Sequence, residues 1–481
     1  MDKKTNLGIT VKKEEDFSEW YTQLIQKADL ADYSSVSGCI VYKPASYAIW
    51  EKIQAAVDKQ FKQAGIQNAY FPLFIPESLL QKEATHIAHF SPEVAWVTHG
   101  GDTKLGERLA VRPTSETIMY ESYAKWIRSH NDLPLRLNQW NNVVRWEFKH
   151  PTPFLRGREF LWNEGHTCFA SREEALAEQD EIINIYDDVC RNYLALPSLI
   201  GKKSEGEKFA GAEYTVSLEF LMPNGKGIQG PDFHHDGQNF AKVFNITFAN
   251  KNGQQEYVWQ NTFAITTRML GILFAVHSDD KGLVLPPMLA PIQAVIVPIL
   301  FGDSKKKILS EAEKLKKKLE KKGILVNLDS REGYSSGWKF SEWEMKGIPL
   351  RLELGPRDLQ KKQVVVVRRD TGEKQSLPIL TADQKLAQLL KQIQDNLYAK
   401  AEKSLKKSIV KVNALKDGEK ELDDKKILFA PWCNFAECEE LIKEKTGGKS
   451  LNSPLKQPPV KGKCFACDKK AKAWFYFGRS Y

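Results

Sequence analysis

Two arginines bracket the loop in RWEFKHPTPFLRGREFLWNEGH, residues 145–166, and their spacing fits a grip on a polyanion. Arg145 and Arg156 each offer a planar donor fork that matches phosphate oxygens and stays charged at any working pH. Glu147 follows the first arginine by two residues, and its carboxylate can accept a hydrogen bond from an exocyclic amine. Phe160 follows the second by four, and a phenyl face can stack on a purine. Val143-Val144 before the loop and Phe160-Leu161-Trp162 after it read as strands, so the segment is predicted to be a hairpin. The competing reading is a surface hairpin of solvated charges. Arg268, in ITTRMLGILF, makes a second demand of the same kind. There Ile265, Met269, Ile272 and Leu273 form one apolar face of an expected helix, and an arginine in that setting either snorkels to solvent or meets an anion in a cleft. Together the three arginines predict a triphosphate held from three sides.

The elements that must position these groups can be read around them. SYAIWEKIQAAVDKQFKQAG fits an amphipathic helix with Ile49, Ile53, Val57 and Phe61 at spacing four, Ser46 as N-cap and Gly65 as stop. NAYFPLFIP then reads as an edge strand interrupted by Pro72. A helix followed by an edge strand fits a subunit interface, and packing within one chain explains it equally well. Runs such as GKGIQG, KVFNITFAN and QEYVWQNTFAITT look antiparallel, which makes the first part an α+β domain. LPPMLAP, residues 285–291, is a rigid connection and an expected boundary. Beyond it the order strand, amphipathic helix (Ile308, Ala312, Leu315, Leu319), strands predicts a small parallel or mixed sheet.

At 481 residues the chain exceeds a single core, and its 42% hydrophobic content is that of globular proteins. It has no run of eighteen apolar residues and no apolar leader, so a cytoplasmic location and no membrane contact are expected. The net charge of +9 is uneven, with lysines clustered at 305–307, 314–322 and 405–411. Each cluster alone reads as a solvated helix face; their concentration in one half favours a nucleic-acid partner. The seven cysteines argue against a disulfide scaffold. Cys433 and Cys438, with Cys464 and Cys467, make two close pairs that can complete a closed, structural zinc shell, against the alternative of reduced cysteines clustered by chance.

With these pieces placed, the chain resembles the prolyl-tRNA synthetases, in the form with a class II catalytic core, no editing insertion and a C-terminal zinc-binding domain. The resemblance runs from about residue 16 to 481 and rests on FPLFIP, VRPTSET, VRWEFKHPTPFLRGREFLWNEGHT, EKFAGAEYT, TTRMLGILFAVHSDDKGLVLPPMLAP and the final FGRSY, in that order. It implies an α+β class II core with an antiparallel sheet in residues 1–290, an α/β anticodon-binding domain in 291–400 and a small α+β zinc-binding domain in 401–481. It implies a ligase that uses ATP with Mg2+ and acts on L-proline and tRNA(Pro), as a homodimer.

By the same resemblance Arg145 would contact the α-phosphate and the proline carboxylate, Glu147 the adenine amine and Phe160 the ring. Arg156 and Arg268 would hold the terminal phosphates, with Gln229 and Thr266 also at the nucleotide. Thr114 and Glu116 would receive the secondary ammonium. Trp162, Glu164, His166, Phe209 and His234 would shape the pyrrolidine pocket, although both histidines and both aromatic residues also read as ordinary core. Glu344, Arg351 and Asp358 would read anticodon bases, with surface ion pairing as the alternative. GIQGPDFHHDGQNF departs from the family pattern at Pro231-Asp232-Phe233, which puts a nucleotide contact at 232 in doubt. The short span from Cys168 to Gln229 leaves no room for a hydrolytic insertion, so misactivated alanine is expected to escape clearance in cis. Rival readings are a class II synthetase for another amino acid, a non-catalytic tRNA-binding relative, and a zinc-stapled nucleic-acid module. The last leaves residues 16–290 unexplained.

Overall fold

The computed structural model describes residues 8–84, 93–147, 151–467 and 469–481. Apolar residues at spacing four build its first long helix: Ile49, Ile53, Val57 and Phe61 are all fully buried along α1 (Pro44–Gln63). The start of that helix differs from expectation. Lys43 holds the cap and Pro44 the first turn, where a missing N–H costs nothing and φ is already helical. Ser46 lies inside that turn, and its hydroxyl donates to the Leu30 carbonyl at 2.6 Å. Gly65, at φ +81°, follows the Ala64 cap as its conformational freedom requires. The next segment forms two short strands, Gln67–Asn68 and Phe74–Pro76, with Pro72 between them.

The centre of the molecule is an antiparallel sheet of five main strands: β1 (Leu135–Val144), β2 (Glu159–Phe169), β3 (Tyr214–Leu221), β4 (Lys226–Gly237) and β5 (Trp259–Thr266). Their spatial order is β1-β2-β5-β4-β3, every neighbouring pair antiparallel. β1 and β2 are the predicted hairpin. Alternation along β2 sends Trp162, Glu164 and His166 to one face and Asn163 and Gly165 to the other. Gly165 must be glycine, because a Cβ there would lie 1.9 Å from the Phe263 ring. Phe263 in turn packs on Phe61 of α1 with ring centroids 5.4 Å apart. Helix α2 (Glu116–Trp126) closes one end of the opposite face, and α3 (Arg172–Asp188) covers the back of β2, β4 and β5. Of the expected strand KVFNITFAN, Lys242, Val243 and Phe244 instead end a helix, Asn239–Phe244, while Thr247–Ala249 form a strand that pairs antiparallel with Gln255–Tyr257 as expected. Phe240 and Phe244 set that choice by packing on Tyr120, with centroids 5.5 and 5.7 Å away.

Helix α4 (Arg268–His277) leaves the end of β5. Ile265 belongs to the strand, while Met269, Ile272 and Leu273 are fully buried on the helix. After 285–291 a second sheet follows. β6 (Ala294–Pro298) lies between Val326–Leu328 and β7 (Leu350–Leu354), all parallel, and two antiparallel strands extend it. Helix α5 (Lys305–Glu320) buries Ile308, Ala312, Leu315 and Leu319 against this mixed sheet. The long helix α6 (Ala382–Ser408) leads to β8 (Ile427–Trp432) and β9 (Ala473–Ser480), which pair antiparallel. The tip of β9 also pairs in parallel with β4, Arg479 beside Lys226, and Ser453–Pro454 pairs with Leu199–Lys202. The C-terminal unit therefore extends the central sheet.

Candidate active site

One cavity of about 270 Å³ opens on the front of the sheet. Its lining gathers Thr114, Glu116, Arg145, Arg156, Phe160, Trp162, Glu164, His166, Phe209, Gln229, His234, Thr266 and Arg268. Glu147 is the one candidate nucleotide residue outside that lining. It is exposed just past the end of β1, and the three residues after it lie outside the described part of the chain.

The arginine end is built by a tight turn. Thr152 and Arg156 exchange backbone hydrogen bonds at 2.7 and 2.9 Å, and Phe154 between them adopts φ +62°. A non-glycine residue pays roughly 1–2 kcal/mol for that conformation. Burial holds it there: Phe154 is 6% exposed, with its ring edge-on to Tyr42 and Phe274 at 5.3 and 5.4 Å. The turn aims the Leu155 carbonyl at Arg268, whose Nε donates to it at 3.2 Å, while Nη1 donates to the Gln229 carbonyl at 3.1 Å. Gly271 permits the approach, since a Cβ there would sit 2.6 Å from the Leu155 side chain. Burial lowers the Arg268 pKa, Asp232 opposes that shift, and Arg145 and Arg156 add to it. Arg145 is fixed by a 2.9 Å bond from Nε to the Pro113 carbonyl, with its guanidinium over the Trp162 and Phe160 rings at 5.3 and 5.5 Å. Three cations that share one cavity repel one another, and a polyanion relieves that repulsion.

The other end carries two carboxylates with different duties. Glu164 is engaged by the protein: Ser115 N–H and Oγ donate to it at 2.8 and 2.7 Å, Asn141 Nδ2 donates at 2.8 Å, and His166 Nε2 lies 3.4 Å away. Burial pushes the Glu164 pKa up, but His166 and these donors overcome it and hold the carboxyl below its usual range. Glu116 accepts the Thr114 hydroxyl and lines the cavity, which leaves it the carboxylate suited to an ammonium group. Arg112, buried, ties this loop down with bonds to the Phe71 and Asn142 carbonyls, both at 2.9 Å. Across the cavity Phe209 lies against His234 with centroids 4.7 Å apart, and His234 Nδ1 is 2.8 Å from the Thr215 hydroxyl. Asp232 accepts from Gln229 Nε2 at 2.6 Å and lies 3.4 Å from His234 Nε2, so its charge has protein partners.

Sequence reading missed the residues that orient these groups. Asn141 accepts from the Trp162 indole at 2.7 Å as well as bonding Glu164, and the Tyr120 hydroxyl is 3.1 Å from His166 Nδ1. The inward alternation of Gln139 and Asn141 in LRLNQWNNVV is the signal that could have found one of them. It also missed Asp236, which is fully buried beside the Thr262 hydroxyl, its hydrogen-bond partner. Burial, then the nearby Glu116, push its pKa well above the usual carboxylate range.

The four C-terminal cysteines converge. Cys433 Sγ lies 3.7 Å from Cys467 Sγ, Cys438 Sγ lies 3.6 Å from Cys464 Sγ, and all four sulfurs fall within 4.8 Å of one another. Tetrahedral zinc with bonds of about 2.3 Å requires sulfurs about 3.8 Å apart, so the thiols fit that ion, and they are too far apart for disulfides. The anticodon candidates have partners within the chain. Arg351 pairs with Glu353 at 3.0 Å and covers the Phe340 ring, while Lys281 approaches Glu344 at 3.6 Å. Asp358 accepts from the Gly355 N–H at 3.0 Å and caps a short helix.

An antiparallel sheet carrying two arginines on a strand–loop–strand hairpin and a third at the head of the following helix defines a class II aminoacyl-tRNA synthetase core. Residues 96–277 match the tRNA synthetase class II core domain (G, H, P, S and T), 293–389 the anticodon binding domain, and 415–481 the C-terminal domain of prolyl-tRNA synthetase. The chain belongs to the prolyl-tRNA synthetase family, the ligases that join proline to tRNA. It is 48% identical to a cytoplasmic proline–tRNA ligase of Arabidopsis thaliana, over all of this chain and 92% of that one. It is 46% identical to proline–tRNA ligase 2 of Bacillus thuringiensis, over 99% of this chain and all of that one. The prolyl-tRNA synthetase of Cryptosporidium parvum, solved with halofuginone and AMPPNP, superposes with a TM-score of 0.94 at 46% identity, over 99% of this chain and 98% of that one.

Proposed function

We propose that the chain activates L-proline with ATP to prolyl-adenylate and pyrophosphate, then passes the prolyl group to the 3′ end of tRNA(Pro). The observation that carries this reading is a single cavity with three arginines at one end and a carboxylate–imidazole–aromatic pocket at the other. In this reading Arg145 bridges the proline carboxylate and the α-phosphate, and Arg156 and Arg268 hold the outer phosphates. Phe160 stacks on adenine, Glu147 accepts its amine, and Gln229 and Thr266 border the nucleotide. Thr114 and Glu116 take the secondary ammonium, while Trp162, Glu164, His166, Phe209 and His234 enclose the ring. The attacking carboxylate is already ionised, so no strong general base is required. Catalysis is then alignment plus neutralisation of charge gathering on phosphorus. Magnesium would accompany the triphosphate and supply further neutralisation of its charge.

The same reading assigns 1–290 to aminoacylation, 291–400 to the anticodon with Glu344, Arg351 and Asp358 as base readers, and 401–481 to a structural zinc bound by the four thiolates. It includes a cytoplasmic homodimer. The Arabidopsis relative is named cytoplasmic, and among the described residues no helix is long and apolar enough to cross a membrane. Light scattering at twice the chain mass would support the dimer, and the single-chain mass would refute it. Activated alanine would leave uncorrected, and rapid release of alanine from mischarged tRNA by the purified chain would contradict that.

Proline-dependent ATP–pyrophosphate exchange tests the main reading. The wild type should exchange, and Arg145→Ala should lose about 3 kcal/mol or more of transition-state stabilisation. Exchange by the wild type that depends on a different amino acid would overturn the assignment.

A further inference from the structure

A buried cation sits at the seam between the catalytic core and the α/β domain that follows it. Arg369 comes directly after the strand Gln363–Arg368 of the second sheet, and its side chain is 4% exposed. Nη1 and Nη2 donate to the two oxygens of Asp279 at 2.8 and 2.6 Å, the forked pairing that a guanidinium is shaped for. Nη2 also donates to the Gly282 carbonyl at 3.1 Å, and Nε donates to the Glu344 carbonyl at 2.9 Å. Burial raises the Asp279 pKa, but Arg369, helped by the Lys281 N–H, outweighs it and holds the carboxyl below its usual range.

Asp279 and Gly282 belong to the catalytic core. They close a tight turn just beyond α4 and exchange backbone hydrogen bonds, both at 3.1 Å. Glu344 belongs to the other side of the seam. It is next to last in the helix Ser336–Met345, where the final carbonyls have no partner further along the helix. The two sides meet without clearance: the Leu283 N–H donates to the Met345 carbonyl at 2.9 Å, and a Cβ on Gly282, at φ +131°, would lie 2.6 Å from the Met345 Cα. The same turn reaches the Glu344 side chain, since Lys281 Nζ lies 3.6 Å from its Oε1 while the Lys281 N–H donates to Asp279 at 2.9 Å. Glu344 is thus held at its backbone by Arg369 and at its carboxylate by the turn that Arg369 clamps.

We propose that the Arg369–Asp279 clamp positions Glu344 for anticodon readout, fixing it against the catalytic core so that its carboxylate meets one anticodon base in a single geometry. This role rests on Glu344 being a base reader, and it adds the residues that make that reader selective. A carboxylate distinguishes one base edge from another by accepting from an N–H at a set place, which works only if the acceptor does not shift to suit a different edge. An exposed ion pair would supply little such constraint, whereas a buried fork with two further carbonyl acceptors supplies it on both sides of the seam. Arg369 acts through Glu344 and is a positioning residue.

The test is aminoacylation by the full chain of a tRNA(Pro) transcript and of transcripts with each anticodon base changed in turn. The proteins are the wild type, Glu344→Ala, Asp279→Ala and Arg369→Lys, which keeps the charge but loses the fork. The readout is the ratio of kcat/KM for native over altered RNA, which does not depend on the folded fraction because both RNAs meet the same protein. In the wild type one position should cost about tenfold or more, and Glu344→Ala should remove most of that cost. Both clamp variants should shrink the ratio at the same position to about threefold or less. A ratio that keeps its wild-type value in either clamp variant, while Glu344→Ala loses it, overturns the clamp and leaves Glu344 as a reader. A wild type with no anticodon preference, or a ratio that Glu344→Ala leaves unchanged, overturns both.

Discussion

Phe154 holds the nucleotide end of the site from a distance, and its removal separates packing from chemistry. The ring is 6% exposed, wedged between Tyr42 and Phe274, and the Tyr21 hydroxyl anchors the same turn by donating to the Pro153 carbonyl at 2.9 Å. Phe154→Ala deletes a buried aromatic side chain, worth about 3–5 kcal/mol in a core that cannot collapse. The φ of +62° remains, now without the ring that enforced it, so about 1–2 kcal/mol of backbone strain favours release of the turn. A released turn carries off the Leu155 carbonyl from Arg268 and displaces Arg156, but touches neither Glu116 nor His234. Urea denaturation should therefore show a loss of about 3–5 kcal/mol. Exchange kinetics should show the KM for ATP rising about tenfold while the KM for proline moves less than threefold, a difference of about 0.7 kcal/mol or more. Phe154→Leu should lie between the two proteins in both respects. Equal shifts in the two KM values, or a large stability loss with an unaltered KM for ATP, would refute the argument that the buried ring shapes the phosphate grip.

Two further outcomes follow from buried groups away from the cavity. His277 Nε2 donates to the Leu194 carbonyl at 2.9 Å, and burial first, with Lys13 and Lys400 adding to it, lowers its pKa to about 4. The unfolded chain therefore takes up this proton near pH 6.5 and the folded chain only near 4. Stability should fall by about 3 kcal/mol as pH drops through that window, and His277→Gln should flatten this part of the denaturation profile; parallel profiles would refute it. The thiol cluster should hold about one zinc per chain, measurable by mass spectrometry, with Cys464→Ser reducing both metal content and melting temperature; a metal-free wild type of full stability would refute it.

Short-range periodicity made much of the fold legible. The spacing of Ile49, Ile53, Val57 and Phe61 predicted a helix face that is wholly buried, and the turn between Val144 and Phe160 predicted a hairpin whose strands pair residue for residue. The errors came where tertiary contacts outweighed local preference. KVFNITFAN read as a strand throughout, yet its first three residues end a helix whose Phe240 and Phe244 are buried against Tyr120, and only Thr247–Ala249 pair as a strand. Ser46 carries a good capping side chain, but Pro44 fixes the helix start earlier and the hydroxyl serves Leu30. Arg145, Glu147, Arg156, Phe160 and Arg268 were singled out by residue type and spacing, and the other candidate site residues by the family resemblance. Their supports, Asn141, Tyr120 and Thr215, stayed hidden because each acts through a strand or helix brought alongside by the fold.

The C-terminal unit shows how far such long-range registry extends. Nothing local in FGRSY predicts that Arg479 pairs with Lys226, yet that contact and the bond from the Tyr481 N–H to the Gly227 carbonyl at 3.2 Å fix the entry of β4. β4 then carries Gln229, Asp232, His234 and Asp236 in succession. The other edge of β9 pairs with β8, whose last residue, Trp432, adjoins Cys433 of the thiol cluster. A rigid path of paired strands thus runs from the four sulfurs to the floor of the pocket. Loosening the cluster acts first on Gln229, the site residue of β4 nearest that entry, whose carbonyl accepts from Arg268 Nη1 at 3.1 Å. In Cys464→Ser the KM for ATP should consequently rise more than the KM for proline. A larger rise in the KM for proline, or no change in either, would break the link drawn between the sulfurs and the nucleotide end of the cavity.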